Sequence, residues 1–283
     1  MEQASKSNMI QAIEGLSGMV RTDNDTYVGE DGLLYCARCH TARQCKISLF
    51  GEERIVNCIC ECMKQELDRE EEERKLRERM RQLDRLRNAG FPDAEMRKCT
   101  FAADDGATPQ IAQAMRNYVD NFAELRKSGK GLLLYGNVGT GKSFYAACIV
   151  NALIDKGYPC MMTNFSRLTN KIGGMWEGKQ EYIDGLTRYR LIAIDDLGVE
   201  RDTDYMNENV TTIIDSLYRA KVPLIITSNF APKQLLSGDT DLRRSRVYDR
   251  LLEVCYPVAV NGVSRRKQKG RDDIAAMRDI LGI

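Results

Sequence analysis

The chain has 283 residues, enough for one sizeable core and a smaller accessory domain. Its 42 Lys and Arg stand against 41 Asp and Glu, a formal charge of +1, so any basic surface for nucleic acid must be local. No run approaches the roughly 18 apolar residues of a membrane helix, and the opening MEQASKSNMIQAIEG lacks the apolar stretch of a signal peptide. These features predict a cytoplasmic chain, where thiols stay reduced.

Six of the ten cysteines fall between Cys36 and Cys62, and such clustering points to metal ligation rather than disulfides. Cys36-x-x-Cys39 places two thiolates a metal's width apart, and a second pair from Cys58, Cys60 and Cys62 would close a tetrahedron around Zn²⁺. Which two of those three complete the set stays open, with Cys45 and His40 in reserve. Lys46 to Phe50 and Arg54 to Asn57 read as the arms of a β-hairpin turning at Gly51-Glu52. Residues 1–63 are thus expected to form a small zinc-ribbon-like domain. His40, the single histidine, sits beside Cys39 and makes a poor general base.

Residues 64–90 follow as a charged helix. KQELDREEEERKLRERMRQLDRLR is strongly helical by propensity, with Glu70–Arg74, Glu71–Lys75 and Glu73–Arg77 as i,i+4 pairs. Leu76, Met80, Leu83 and Leu86 trace a thin apolar seam. Such a helix is either a solvated connector or a docking element for a partner. Asn88-Ala-Gly90 and Pro92 end it, and residues 88–106 lead into a second domain spanning 91–270.

That domain declares its chemistry in LLLYGNVGTGKSFYAACIV, residues 132–150. Leu132 to Tyr135 read as a buried strand, and Phe144 to Leu153 as helix. Between them lies G-x-x-x-x-G-K-S, the pattern whose backbone N–H groups cradle a nucleoside triphosphate. Glycines 136, 139 and 141 let the chain curl around one anion, and the helix adds the positive end of its dipole. Gly136, Asn137, Val138, Gly139, Thr140, Gly141, Lys142, Ser143 and Phe144 are therefore expected around ATP. Lys142 would reach the β- and γ-phosphates, and Ser143 would hold Mg²⁺.

Strands are then expected at 158–165, 189–198 and 222–230, with an amphipathic helix over 207–220 carrying Val210, Ile213, Ile214 and Leu217 on one face. The alternation predicts an α/β fold, a parallel sheet with crossover helices. Asp195 and Asp196 end an apolar strand and emerge at the carboxyl edge, where ligands of open α/β sheets bind. One carboxylate, Asp195, suits the Mg²⁺ shell and its neighbour the attacking water. Asn229 ends the next strand within reach of a γ-phosphate.

Taken together, GNVGTGKS, LIAIDDLGVE, PLIITSNF, SRVYDRLLE and NGVSRR resemble the AAA+ P-loop ATPases of the DnaC/IstB type, the replicative helicase loaders. The resemblance spans roughly residues 90–270, and the cysteine-bearing N-terminus is similar to that of phage and prophage loaders. It implies Walker A at Lys142 and Ser143, Walker B at Asp195 and Asp196, and sensor 1 at Asn229. It also implies a trans-acting finger at Arg250 or Arg246, and a sensor 2 arginine at Arg266 or Arg265. ATP would then lie at a subunit interface, making self-assembly part of hydrolysis. The implied partners are a DnaB-type replicative helicase and single-stranded DNA. For the DNA, the segment after the second strand offers Phe165, Arg167, Lys171, Trp176 and Lys179. Two other functions fit the same motifs: an IstB-like transposition helper, and a non-catalytic zinc adaptor switched by ATP. Residues 271–283 match nothing in the family.

Overall fold

The computed structural model describes residues 25–198, 204–237 and 242–267, with Ile274, Met277, Arg278, Ile280 and Leu281 beyond them. Side chains at 204–207, 237 and 242–246, and most of the expected tail 271–283, lie outside the described residues. Tertiary contacts divide the chain into two compact units, Met1–Met80 and Arg81–Ile283.

The described residues of the first unit form two antiparallel hairpins ahead of a helix. β1 (Thr26–Val28) pairs with β2 (Leu34–Cys36), and β3 (Gln44–Leu49) with β4 (Glu52–Asn57). The second is the expected hairpin. Its two-residue loop, Phe50-Gly51, has φ of 55° and 89°, the left-handed pair that a tight hairpin twist requires. The chain then enters α1 (Glu61–Gly90), a 30-residue helix inside which the division between units falls. Leu76 and Met80 of the apolar seam are exposed. Lys75–Glu71 and Arg77–Glu73 ion pairs line the helix surface.

The second unit is α/β, as expected. After α2 (Pro109–Asp120) and α3 (Phe122–Lys127) come β5 (Gly131–Tyr135), α4 (Lys142–Asp155), β6 (Cys160–Asn164), α5 (Phe165–Gly173) and α6 (Lys179–Leu186). They are followed by β7 (Leu191–Leu197), α7 (Asp204–Arg219), β8 (Leu224–Ser228), α8 (Pro232–Ser237), α9 (Leu242–Val254) and β9 (Cys255–Ala259). The five strands form one parallel sheet in the order β6-β7-β8-β5-β9. β9 has no counterpart in the sequence reading. Its Pro257 argues against a strand, and the structure accommodates it by placing β9 at the sheet edge, where a missing N–H is tolerated.

Period-two alternation divides the core. Leu132, Leu134, Leu191, Ala193 and Ile225 face one buried cluster with α2 and α4. Leu133, Ile192, Ile194, Leu224 and Ile226 face another with α5, α6 and α7. Both faces of the sheet are therefore covered, and its loops are left to carry the chemistry. The last turn of α1 belongs to this packing: a Cβ on Gly90 would stand 2.3 Å from the Cys160 carbonyl oxygen. Among the described residues no helix is long and apolar enough to cross a membrane.

Candidate functional site

The glycine loop joins β5 to α4 at the carboxyl edge of the sheet. Gly139 and Gly141 have φ of 85° and 98°, and both are crowded. A Cβ would meet Ser264 Oγ at 2.2 Å in the first case and Arg265 Nη1 at 2.5 Å in the second. Only glycine satisfies both demands. Thr140 is buried and donates to the Asn137 carbonyl at 3.0 Å, holding the loop's curvature from inside.

Lys142 is 5% exposed, and its ammonium donates to three oxygens: Gly136 O at 2.9 Å, Asn137 O at 2.8 Å and Asn229 Oδ1 at 2.9 Å. Burial lowers the pKa of this ammonium, while Asp196 and then Asp195 pull it back up. The lysine is thus tied to the loop and to Asn229 by contacts that incoming phosphate oxygens can replace. Burial, and then Asp195, push the Asp196 carboxyl above the ordinary aspartate range, with Lys142 and Arg266 opposing.

A cavity of about 430 Å³ opens here, and Val138, Gly139, Gly141, Lys142, Ser143 and Phe144 line its loop side. Asp196, Asn229, Arg265 and Arg266 come to the same cavity from β7, β8 and the segment after β9. Met96, Cys99 and Ala103 also line it and add apolar surface. Asp196 rather than Asp195 borders this space; Asp195 lines a smaller neighbouring cavity with Asn164 and Arg167.

The two arginines of NGVSRR are separated by their surroundings. Arg265 donates its backbone N–H to Gly139 O at 2.9 Å and its guanidinium to Asp105 at 2.8 Å, over the rings of Phe144 and Tyr145. It clamps the loop to the segment before α2. Arg266 lines the cavity and acts on both Lys142 and Asp196. Arg250 forms an ion pair with Asp215 of α7 and lies 5.9 Å from the Tyr218 ring centre. The Arg246 side chain is outside the described residues.

In the first unit the sulfurs of Cys36, Cys39, Cys60 and Cys62 all lie within 4.8 Å of one another. Cys36–Cys62 and Cys60–Cys62 separations are 3.6 and 3.4 Å, close to the ~3.8 Å edge of a tetrahedral Zn–thiolate site. This soft four-thiol set fits zinc. Cys58 needs correction: its thiol donates to the Ala42 carbonyl at 3.3 Å, away from the cluster. The cause is a change of path, since β4 ends at Asn57 and α1 begins at Glu61. Hydrogen bonding from Thr41 holds the Cys39 thiol down at about 5. Contact with Cys60, Cys39 and Cys36 pushes Cys62 up to about 12, as expected of thiols crowded around one point.

The expected DNA segment is dispersed. Phe165 is 1% exposed and packs among Leu168, Ile172, Ile183 and Leu186, so it belongs to the core and is withdrawn as a base-stacking residue. Arg167 and Lys171 line a groove of about 750 Å³ together with Tyr182 and Tyr189. Lys171 sits 4.7 Å from the Tyr182 ring centre. Trp176 is fully exposed, and Lys179 is exposed at the start of α6.

Comparison with known proteins agrees with this geometry. Residues 57–273 match the family model of the IstB-like ATP binding proteins. The chain belongs to this family. It is 25% identical over 251 residues to the replicative helicase loader DnaI of Bacillus subtilis, covering 82% of this chain and 78% of the relative. A Mycobacterium tuberculosis protein named for ATP binding and an insertion sequence is 26% identical, over 65% of this chain and 73% of its own length. The helicase loader DnaC of Escherichia coli is 25% identical over 48% of this chain and 57% of the relative. Among solved structures, DnaI superposes with a TM-score of 0.51 at 23% identity, covering 62% of this chain and 94% of that one. The DnaC helicase loader gives 0.51 at 21% identity, covering 60% and 100%. The fold is that of the AAA+ P-loop proteins, and the family is described as ATP binding.

Sequence reasoning missed Thr227, Ser264 and the Asp104–Asp105 pair. The Asp104 side chain is 6% exposed and accepts from Tyr145 Oη at 3.2 Å, anchoring the segment that Arg265 grips. Single hydroxyls and a loop Asp-Asp carry no local signature, so nothing in the chain marked them.

Proposed function

We propose that this chain is an ATP-hydrolysing loader that places a ring-shaped replicative helicase on single-stranded DNA. The observation that carries this reading is extent. The match to the loader DnaI runs over 82% of the chain, whereas the match to the insertion-sequence protein covers 65%. In this reading the loop N–H groups and Lys142 bind the triphosphate, Ser143 and Asp195 would hold Mg²⁺, which would supply charge neutralisation at the phosphoryl oxygens, and Asp196 orients the attacking water. Asn229, already bonded to Lys142, orients the attacked phosphate, and Arg266, which lines the same cavity, adds positive charge.

Hydrolysis waits on assembly, because Arg250 or Arg246 of a neighbouring copy supplies the finger. Cys36, Cys39, Cys60 and Cys62 hold one zinc and shape the helicase-gripping unit. Arg167, Lys171, Trp176 and Lys179 track the DNA strand. The test is reconstitution: the purified chain, ATP and the replicative helicase of the same cell, with a closed circular single strand as substrate. Helicase deposited on the circle only when chain and ATP are both present is the expected result, and no deposition overturns the reading. The family model itself is named for IstB, which favours a transposition helper as the second reading. ATP-dependent stimulation of a transposase by this chain, with no helicase deposition, selects it.

A further inference from the structure

β7 and β8 pair in register through Ile194↔Ile226 and resume at Leu197↔Ser228, so Asp195 and Asp196 together stand opposite the single residue Thr227. Burial records the same slip. Ile192 and Ile194 face the α7 side, and alternation would send Asp196 there next; instead Leu197 takes that place in the core. The extra residue is accommodated by Asp196, whose φ of 60° is the left-handed region that aspartate tolerates better than most side chains.

A bulge leaves ladder groups without their regular partners, and here one hydroxyl replaces them. The Asp196 N–H donates to Thr227 Oγ1 at 2.9 Å. Because an N–H can only donate, the hydroxyl accepts there, and its one proton goes to Asp195 Oδ1 at 2.5 Å. Thr227 is 0% exposed, so water offers its hydroxyl no alternative partner. Ser228 repeats the device one residue on, donating to Leu197 O at 2.9 Å and accepting from the Phe230 N–H at 3.1 Å. The Ser228 carbonyl in turn accepts from the Gly136 N–H at 3.3 Å, so the bulge is tied to the first residue of the glycine loop.

We propose that Thr227 is a positioning residue for ATP hydrolysis. Its buried hydroxyl fixes one Asp195 oxygen and the Asp196 backbone at once, and so sets where both residues stand at the carboxyl edge of the sheet. This rests on the ATPase reading above. The reason for threonine is specific: valine has nearly the same shape but neither accepts nor donates, and serine keeps the hydroxyl.

The test compares Thr227→Val, Thr227→Ser and Ser228→Ala in the full chain. It measures binding of a fluorescent ATP analogue without Mg²⁺, the Mg²⁺ concentration that half-saturates its tightening, and ATP turnover. Thr227→Val is expected to bind nucleotide without Mg²⁺ within about twofold of the parent, since the loop is untouched. Its half-saturating Mg²⁺ should rise and its kcat fall, each by about tenfold to a hundredfold, the usual scale for a partner of a metal-shell carboxylate. Thr227→Ser should recover most of both, and Ser228→Ala, which touches neither carboxylate, should move Mg²⁺ dependence far less. Parent-like Mg²⁺ dependence in Thr227→Val, or an equal shift in Ser228→Ala, overturns the proposal. If Thr227→Val loses its fold by thermal unfolding, Thr227→Cys, with a weak S–H donor, serves the same measurements. A parent that binds ATP but never turns it over removes the ATPase reading, while the Mg²⁺ titration still decides for or against Thr227.

Discussion

The thiol cluster and the glycine loop both gather groups suited to a ligand, but they are held together by different forces. In residues 25–80 the buried side chains are Leu33, Cys36, Arg43 and Cys60, and two of those four are the thiols themselves. Fully burying one leucine is worth roughly 1.5–3 kcal/mol, far short of the ordering cost of such a segment. The glycine loop instead rides on a sheet buried on both faces by two large apolar clusters. Its shape is set by that sheet, and oxygens of Gly136, Asn137 and Asn229 hold Lys142 in place. The cluster is expected to need its ligand in order to fold; the loop is not.

Removing zinc should break this contrast most sharply. Metal binding in small zinc domains is worth on the order of 10 kcal/mol or more of folding free energy. A chelator should therefore melt the hairpins of residues 25–62 while ATP binding persists, as followed by backbone NMR and nucleotide titration. Cys60→Ser should abolish stoichiometric zinc by elemental analysis, and Cys58→Ser should keep it. Equal zinc loss in both variants would return Cys58 to the ligand set.

Phe165→Ala probes the other side, where burial does the stabilising. Truncating a fully buried phenylalanine costs about 3–5 kcal/mol, so urea unfolding should shift strongly. An unchanged unfolding midpoint with weakened DNA binding would put Phe165 back among the stacking residues. Next in size, Lys142→Ala should reduce ATP binding and turnover by roughly 10²–10³-fold, near 3–4 kcal/mol, the scale of one preorganised electrostatic contact. Asp196→Asn should retain binding and lose turnover. Parent-like turnover in the Lys142 variant would remove the site assignment altogether.

The smallest effect is expected at Trp176, fully exposed and outside either core. Trp176→Ala should leave stability within about 0.5 kcal/mol and weaken single-stranded DNA by about 1–3 kcal/mol, the usual worth of one stacked base. Fluorescence anisotropy with single-stranded and duplex oligonucleotides checks this. Equal affinity for both, unchanged by the substitution, argues that the ring is only a surface side chain.

The glycine loop was legible in the chain because phosphate recognition is local. Consecutive N–H groups must converge on one anion, so Gly136 to Ser143 carry the whole pattern in eight adjacent letters. The parallel α/β class was legible for a similar reason, since apolar runs alternating with amphipathic helices leave few other ways to bury both. What depended on distant segments was not legible. Cys58, Cys60 and Cys62 are spaced to share one strand face, yet the strand stops at Asn57, and the turn into α1 carries Cys60 and Cys62 towards Cys36. Phe165 reads as a base-stacking aromatic until α5 packs it against the sheet. Pro257 speaks against a strand until β5 supplies a neighbour on one side, with no second partner strand among the described residues. The bulge at Asp195–Asp196 has no letter of its own, because an extra residue is defined only by the strand beside it. Residue chemistry alone determined which ligands this chain is equipped to meet; packing between segments far apart in sequence decided which side chains reach them, since burial and register belong to pairs of segments and not to either one.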